Sequence, residues 1–339
     1  MLTNRTYGWR GSTQAPAPAL GRSLGIRRGR IIAQIAEPPP ISTQAAAFGA
    51  KLVAVDGSLL SADPYHYNSS LIRDDRGLWL IWRNQDTHGH STINRAMLDE
   101  SLRPIPTTVG LIDLPLTAVD TMGTNQREDP RAFHHNGSTW LSYTAWRRGA
   151  TDAAIALSRL DDRWRSAEDV RITYGGNWSP GVMQKNWSFF PHEKTLHFIY
   201  YANPHEVVDL ANNQTHKTAG VLWEHGIIRG GTPPILVGDR YVTFFHSSRD
   251  GDSEHGRRYY MGAYSFSASP PFTPLALTKA PILKASDLDP SVPHLPLVVF
   301  PCGAVHEDGR WIVSLGVNDV STALLLITDD VLAQHMEPI

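Results

Sequence analysis

One layout recurs five times along this chain, and it limits the fold more than any other feature. Each copy opens on a polar or proline-containing entrance and runs into a short apolar strand. It then turns at Asp, Gly, Asn or His and continues in a stronger apolar strand. The strand pairs fall at residues 68–72 and 78–83, 129–133 and 140–143, 186–190 and 196–201, 232–236 and 241–246, and 301–305 and 311–316. Several strands per period of about 45–70 residues is the pattern of propeller blades. A single blade cannot bury both of its faces, so the copies must stack about an axis. The expected fold is all-β: a five-bladed β-propeller over residues 51–339, with an irregular N-terminal arm over residues 1–50 and a short C-terminal helix. The arm is read from Ala15-Pro16-Ala17-Pro18, Pro38-Pro39-Pro40 and the basic Arg27, Arg28 and Arg30, with one strand near residues 30–36. The helix is read from Thr328-Asp329-Asp330, an N-cap followed by acids in the first turn, and runs over the final dozen residues.

Stacked in this way, the entrances meet at one end of the axis. They form a single pocket from Asn68, Asp129, Arg131, Lys185, Asn186, Thr232 and the turn ending at Asp319. The richest entrance, residues 123–133, places Arg127, Glu128, Asp129 and Arg131 within five residues. Strict alternation along a strand puts Asp129 and Arg131 on one face and Glu128 on the other. A carboxyl beside a guanidinium suits binding a polar substrate and moving a proton, and it equally suits a structural ion pair at a strand start. Arg147 and Arg148 follow an inner strand, where they meet either an anion or solvent. His88 and His90 have metal-like spacing, but no third ligand lies near in sequence, so they read as a loop.

Composition removes several classes. A formal charge of −2 gives no bulk attraction for nucleic acid. Cys302 is the sole cysteine, which excludes an internal disulfide and a cysteine-based zinc cluster. No run approaches the ~18 apolar residues of a membrane span, and the N-terminus lacks a basic-then-apolar export pattern, so a cytoplasmic location is expected. No phosphate-cradling glycine loop, nucleophile elbow or HExxH helix is present. What remains is carboxylate, guanidinium and ammonium chemistry in a polar bowl.

Taken in order, Glu128-Asp129-Pro130-Arg131, Tyr143-Thr144-Ala145, Lys185-Asn186-Trp187, Val299-Phe300-Pro301-Cys302-Gly303 and Gly316-Val317-Asn318-Asp319 resemble the five-bladed propeller enzymes of glycoside hydrolase family 130, the β-mannoside phosphorylases and hydrolases, and related mannosyltransferase-phosphorylases. The resemblance spans about residues 65–325. It implies that Asp129 is the proton donor and that Asn68, Arg83 and Asp319 hold the sugar. It further implies that Arg131, Lys185, Asn186 and His246 add polar contacts to sugar or phosphate. The phosphorylases carry an arginine after the inner strand of the third blade. Here that stretch reads Tyr200-Tyr201-Ala202-Asn203-Pro204-His205, which argues against phosphate as acceptor.

The expected reaction is inverting cleavage of a β-mannoside-type bond, with an oligosaccharide or glycoside as partner. No cofactor is called for beyond inorganic phosphate as an optional co-substrate, no metal is expected, and homo-oligomerisation is left open. A donor carboxyl near neutral pH needs a site dry enough to keep its proton above the ~4 of a free acid. The attacking group is either phosphate, held by Lys185 with Arg147 or Arg148, or water. Activation of water would need a second carboxylate about 6.5–9.5 Å from the donor. Glu128, Asp319 and Glu206 are the candidates, and His205 lies in the same stretch as Glu206. Two other readings use the same pocket: a glycosyltransferase with a nucleotide-sugar or sugar-phosphate donor, and a non-catalytic carbohydrate-binding propeller.

Overall fold

The computed structural model describes residues 43–114, 126–146, 153–166, 169–172, 184–250, 257–288 and 297–339. The expected arm strand near residues 30–36 and the two arginines Arg147 and Arg148 lie outside them. The chain divides at residues 37/38, and the architecture below belongs to the larger unit, residues 38–339.

That unit is built from antiparallel strand groups, as the repeat requires. The first group is β2 (Tyr65–Asp74), β3 (Gly77–Gln85), β4 (Ser91–Leu98) and β5 (Gly110–Leu111), preceded in the chain by α1 (Thr43–Phe48) and β1 (Lys51–Ala54). The second is β6 (Gln126–His135), β7 (Ser138–Trp146), β8 (Ala153–Leu160) and β9 (Asp169–Ile172). One parallel pairing, Ser91 with Gln126, joins these two groups into an eight-stranded sheet. The third group is β10 (Ser188–His192), β11 (Thr195–Ala202), β12 (His205–Asp209) and β13 (Thr215–Thr218). The fourth holds β14 (Ile227–Arg229), β15 (Ile235–Val237), β16 (Arg240–Asp250), β17 (Arg257–Ser267), β18 (Pro274–Thr278) and β19 (Leu283–Lys284). The fifth is β20 (Val299–Glu307), β21 (Arg310–Val317) and β22 (Ser321–Thr328), and β1 returns to pair with β22 as its outer strand.

The inner strands are apolar on both faces because each group is sandwiched between two others. Trp79 and Ile81 of β3 pack with Leu141 and Tyr143 of β7. Phe133 and Ile155 of the second group pack with Phe189 and Phe198 of the third. Phe190 and Val207 of the third meet Tyr241 and Phe266 of the fourth. Phe244 and Ala263 of the fourth meet Val313 and Leu325 of the fifth. Leu80 and Trp82 of the first then meet Val305 and Leu324 of the fifth, so the succession of cores closes on itself. At about 25 cal/mol per Å² of apolar surface, these interfaces are the main source of stability.

The segment read as an arm contributes to this core: Ala45 and Phe48 of α1 are buried in the cluster between the fourth and fifth groups. At the other end, α2 (Asp329–His335) starts where expected, with the Thr328 side chain accepting from the Val331 amide. The helix is seven residues rather than a dozen. Residues Met336–Pro338 form β23, which takes the free edge of β18 and so draws the chain out of the helix.

Candidate functional site

The entrances depart from regular strand geometry at equivalent places. Asn68, Asp129 and Asn186 have φ of +50°, +53° and +64°. The ladders of β2 with β3 and of β6 with β7 shift register across Asn68 and Asp129. Asn and Asp tolerate this left-handed conformation better than other side-chain-bearing residues, which explains their presence there. A bulge leaves one residue unpaired and re-aims its side chain. The expectation that Glu128 faces away from Asp129 is therefore corrected. The bulge breaks the alternation, and Glu128 and Asp129 both act on the same neighbours, Tyr67 and Asp319.

Asn68 and Asp129, 61 residues apart, form a buried pair in which Asn68 Nδ2 donates to Asp129 Oδ1 at 2.7 Å. Asn68 Oδ1 is also buried but has no protein partner. Any residue larger than Gly at 316 would collide with that oxygen through its Cβ, so the fifth group closes over Asn68 by means of a glycine. Beside this pair, buried Glu128 is shared between two cations, with Arg83 Nη2 2.5 Å from Oε1 and Lys185 Nζ 3.3 Å from Oε2. Arg83 also lies over the Tyr67 ring, 4.7 Å from its centroid, and donates from Nε to Ser91 Oγ. Burial pushes the Tyr67 hydroxyl well up from its ordinary value, and that hydroxyl donates to Gln85 Oε1 at 2.9 Å.

Asp319 sits in the turn after β21, at φ +54°. Burial, and after it the charge of Asp129, pushes its carboxyl up to about 6. Asn318 fixes this turn: its Oδ1 accepts from the Val298 amide at 3.0 Å.

Arg131 does not pair with the Asp129 carboxylate. It is 1% exposed, and donates from Nε to the Gly231 carbonyl at 2.7 Å, from Nη1 to the Asp129 carbonyl at 2.9 Å and from Nη2 to Asn186 Oδ1 at 3.4 Å. Its guanidinium is a tie between the second, third and fourth groups. His246 is fully buried, 4.2 Å from the Phe300 ring, with Nδ1 unpartnered by protein. Burial, reinforced by Arg229 and Arg131, holds its pKa well below the ordinary value, so it is neutral.

Two sequence candidates have surroundings of their own. His205 is fully buried between the rings of Tyr264 and Phe266, and burial lowers its pKa to about 4. Glu206 is buried and paired with Lys217 at 3.1 Å. Thr232 is buried under the fourth entrance, where its Oγ1 accepts from the Phe244 amide. Sequence reasoning did not single out Tyr67 or Arg229 as site residues, and it placed Asn318 in the pocket only as part of the Gly316–Asp319 turn. Arg229 could have been found, since it precedes the paired glycines Gly230 and Gly231 and stands opposite His246 in the β14–β16 ladder. Among the described residues no group of three or more His, Cys, Asp or Glu is placed to hold a metal. No described helix is long and apolar enough to cross a membrane.

An all-β framework that gathers carboxyls, amides and cations from remote strands into one buried polar cluster is a framework for binding hydroxyl-rich ligands, and comparison with known proteins narrows it. Residues 65–337 match the family model of glycoside hydrolase family 130, described as beta-1,4-mannooligosaccharide phosphorylase, and the chain belongs to that family. It is thus a carbohydrate-active enzyme of the mannoside phosphorylase and hydrolase class. No curated protein matches it significantly. Among solved structures it is similar to a putative glycoside hydrolase from Parabacteroides distasonis, at 16% identity and TM-score 0.60, over 89% of this chain and 96% of that one. It is also similar to a β-1,2-mannobiose phosphorylase from Listeria innocua, at 14% identity and TM-score 0.58, over 84% and 92%. A third is a mannose phosphorylase from Leishmania mexicana in complex with phosphate ion, at 17% identity and TM-score 0.54, over 82% and 88%. At these identities the structures speak for the fold alone.

Proposed function

We propose that the strand groups are the blades of a five-bladed propeller and that the chain cleaves a β-mannosidic bond with inversion, Asp129 protonating the departing oxygen. The observation that carries this reading is the buried Asn68–Asp129 pair. It holds a carboxyl in one orientation and leaves Asn68 Oδ1 unpartnered as an acceptor for a sugar hydroxyl. Arg83 and Asp319 flank the same sugar. Glu128 keeps Arg83 and Lys185 in place, and because both of its oxygens are committed to cations it makes a poor base. Arg131 is a positioning residue, since its hydrogen bonds to the Asp129 carbonyl and to Gly231 fix the bulge that aims the carboxyl.

Two attacking groups fit. Water would need Asp319 as its base, the one candidate not engaged by a cation at hydrogen-bond distance among the described residues, with its carboxyl at about 6. Phosphate is favoured by Lys185 and by Arg229, a half-buried cation beside neutral His246. The test is a panel of β-1,2- and β-1,4-mannosides with and without phosphate, reading free mannose and mannose 1-phosphate. Turnover only from a nucleotide sugar would replace this reading by a transferase. Binding without turnover of any donor would replace it by a lectin-like role.

A further inference from the structure

The third group carries an aromatic column that the cleavage reading leaves unused. Trp187, 3% exposed, directly follows the site residue Asn186 and stacks on Phe198 at 4.7 Å. Tyr200 packs edge-on against Trp187 at 5.3 Å, and Tyr201 packs against Tyr200 at 4.3 Å. The column therefore runs from a fully buried base to Tyr201, which is 54% exposed. Large aromatics exposed on a surface are informative when they continue a buried, ordered stack, because the ring is then held rigid at little further entropy cost.

Its position is fixed by register. Ser188 pairs with Ile199, so residues 200–202 lie alongside the entrance 185–187, at the same end as Lys185 and Asn186. Tyr200 also interacts with Gln184, the residue before Lys185. The strand does not hide Tyr201. A bulge between Ile199 and Tyr201 re-aims the chain there, and the outer neighbour Glu206 is drawn to Lys217. Val221 donates to the Ala202 carbonyl at 2.7 Å, and the residue after it, Leu222, is 74% exposed.

Asp129 stands between two sides of the cluster. On one side are Asn68, Arg83 and Asp319, from the first and fifth groups. On the other, reached through Arg131 and Asn186, is the third group. If the first side holds the mannosyl unit being transferred, the oxygen that receives the proton leads to the other side. A pyranose ring there offers an apolar C–H face and a rim of hydroxyls, the complement of a tyrosine ring with a neighbouring phenol. We propose that Tyr201, braced by Tyr200, is the platform for the sugar on the leaving-group side of the scissile bond and sets the preference for a saccharide leaving group. This rests on the cleavage proposed above.

The test compares Tyr201→Ala and Tyr201→Phe with the wild type on β-1,2- and β-1,4-mannobiose and on β-mannosyl fluoride, whose leaving group has no ring. The expected result is a rise in KM of about tenfold on the favoured mannobiose for Tyr201→Ala. Tyr201→Phe should lie within about threefold of wild type, and all three proteins should be equal on the fluoride. Equal losses on both substrates, or no loss on mannobiose, overturn the platform while leaving the cleavage intact. If the wild type turns over none of these compounds, the cleavage reading fails. Calorimetric titration of mannobiose then decides the platform, and it falls if wild type and Tyr201→Ala bind equally or if neither binds.

Discussion

The two sides of the cluster solve different electrostatic problems. Around Glu128 and Asp129 of the second group, polar side chains of the first and third groups are paired: Arg83 and Lys185 with Glu128, and Asn68 with Asp129. In the third and fourth groups, His205 and His246 are buried as neutral rings among aromatics, and Tyr200 and Tyr201 form an edge, with charges at Arg229 beside His246 and in the Glu206–Lys217 pair. Charge fixed inside a low-dielectric wall orients a ligand strongly and is costly to disturb. A neutral aromatic wall tolerates varied ligands and is costly mainly when it must take up a proton. The polar half therefore holds a ligand by fixed charge and hydrogen bonds, and the aromatic half by shape and apolar contact.

The largest effect is expected at the carboxyl in the centre, Asp129. Asp129→Asn preserves the size and the contact with Asn68 but cannot supply a proton, so kcat should fall by about 10²–10⁴-fold. Mannobiose affinity measured by calorimetry should stay within a few-fold. Unchanged turnover would show that the acid lies elsewhere, and the contrast between the two sides would lose its centre.

Glu128→Gln comes next. It leaves the Arg83 guanidinium and the Lys185 ammonium facing a neutral amide, and breaking a buried pair in this way costs about 3–5 kcal/mol. Lys185 is 30% exposed, which reduces the cost, so a loss of about 2–3 kcal/mol is expected in the unfolding free energy from urea titration. Adding Lys185→Met should restore part of it. A loss no larger than that of an ordinary surface substitution would mean the paired charges are decoration.

Asp319→Asn tests the proton on the same side. The carboxyl is raised to about 6, so the folded state holds its proton more tightly than the unfolded chain. The stabilisation this gives is complete below the unfolded value and is lost as pH rises through about 6. At pH 8 the wild type has paid this ionisation cost, at most about 3 kcal/mol, and the amide has not. Asp319→Asn should therefore be the more stable protein at pH 8 and close to wild type at pH 4, with the step near pH 6 removed from its stability profile. Parallel profiles for the two proteins would remove Asp319 from the titrating set.

How much of this was legible in the sequence follows from the range of the interactions involved. The strand pairs could be read because alternation and turn residues are local, and turns at Asn136-Gly137 and Glu307-Asp308-Gly309 fall where the hairpins close. Asn68, Asp129 and Asn186 could be picked out as polar residues at strand starts. Their left-handed backbone could not, because the partners that make it worthwhile come from other groups. Arg131 shows the same limit: its acceptor, the Gly231 carbonyl, is 100 residues away, and nothing near Arg131 distinguishes a substrate contact from a structural tie. The C-terminal helix was overextended for the same reason, since the edge of β18 that captures Met336–Pro338 is remote in sequence. His205 looked like a site residue because it follows an inner strand, and only the packing of Tyr264 and Phe266 from the fourth group removes it.

That packing makes the last and smallest prediction, on the neutral side. Burial holds His205 at about 4, against an ordinary value near 6.5, so the unfolded chain takes up a proton before the folded one does. The stability this ring allows is present above pH 6.5 and is lost as pH falls toward 4. At pH 5 the accumulated loss is about 2 kcal/mol. His205→Phe keeps an aromatic ring between Tyr264 and Phe266 and cannot be protonated. It should match wild type at pH 8 within the cost of fitting a slightly larger ring, and exceed it at pH 5 by about 2 kcal/mol in denaturant titrations. Activity at pH 8 should be unchanged, because His205 lies outside the polar cluster. A variant that lost activity without losing stability would place His205 in the reaction after all, and the division between a charged and a neutral half would have to be redrawn with His205 on the charged side.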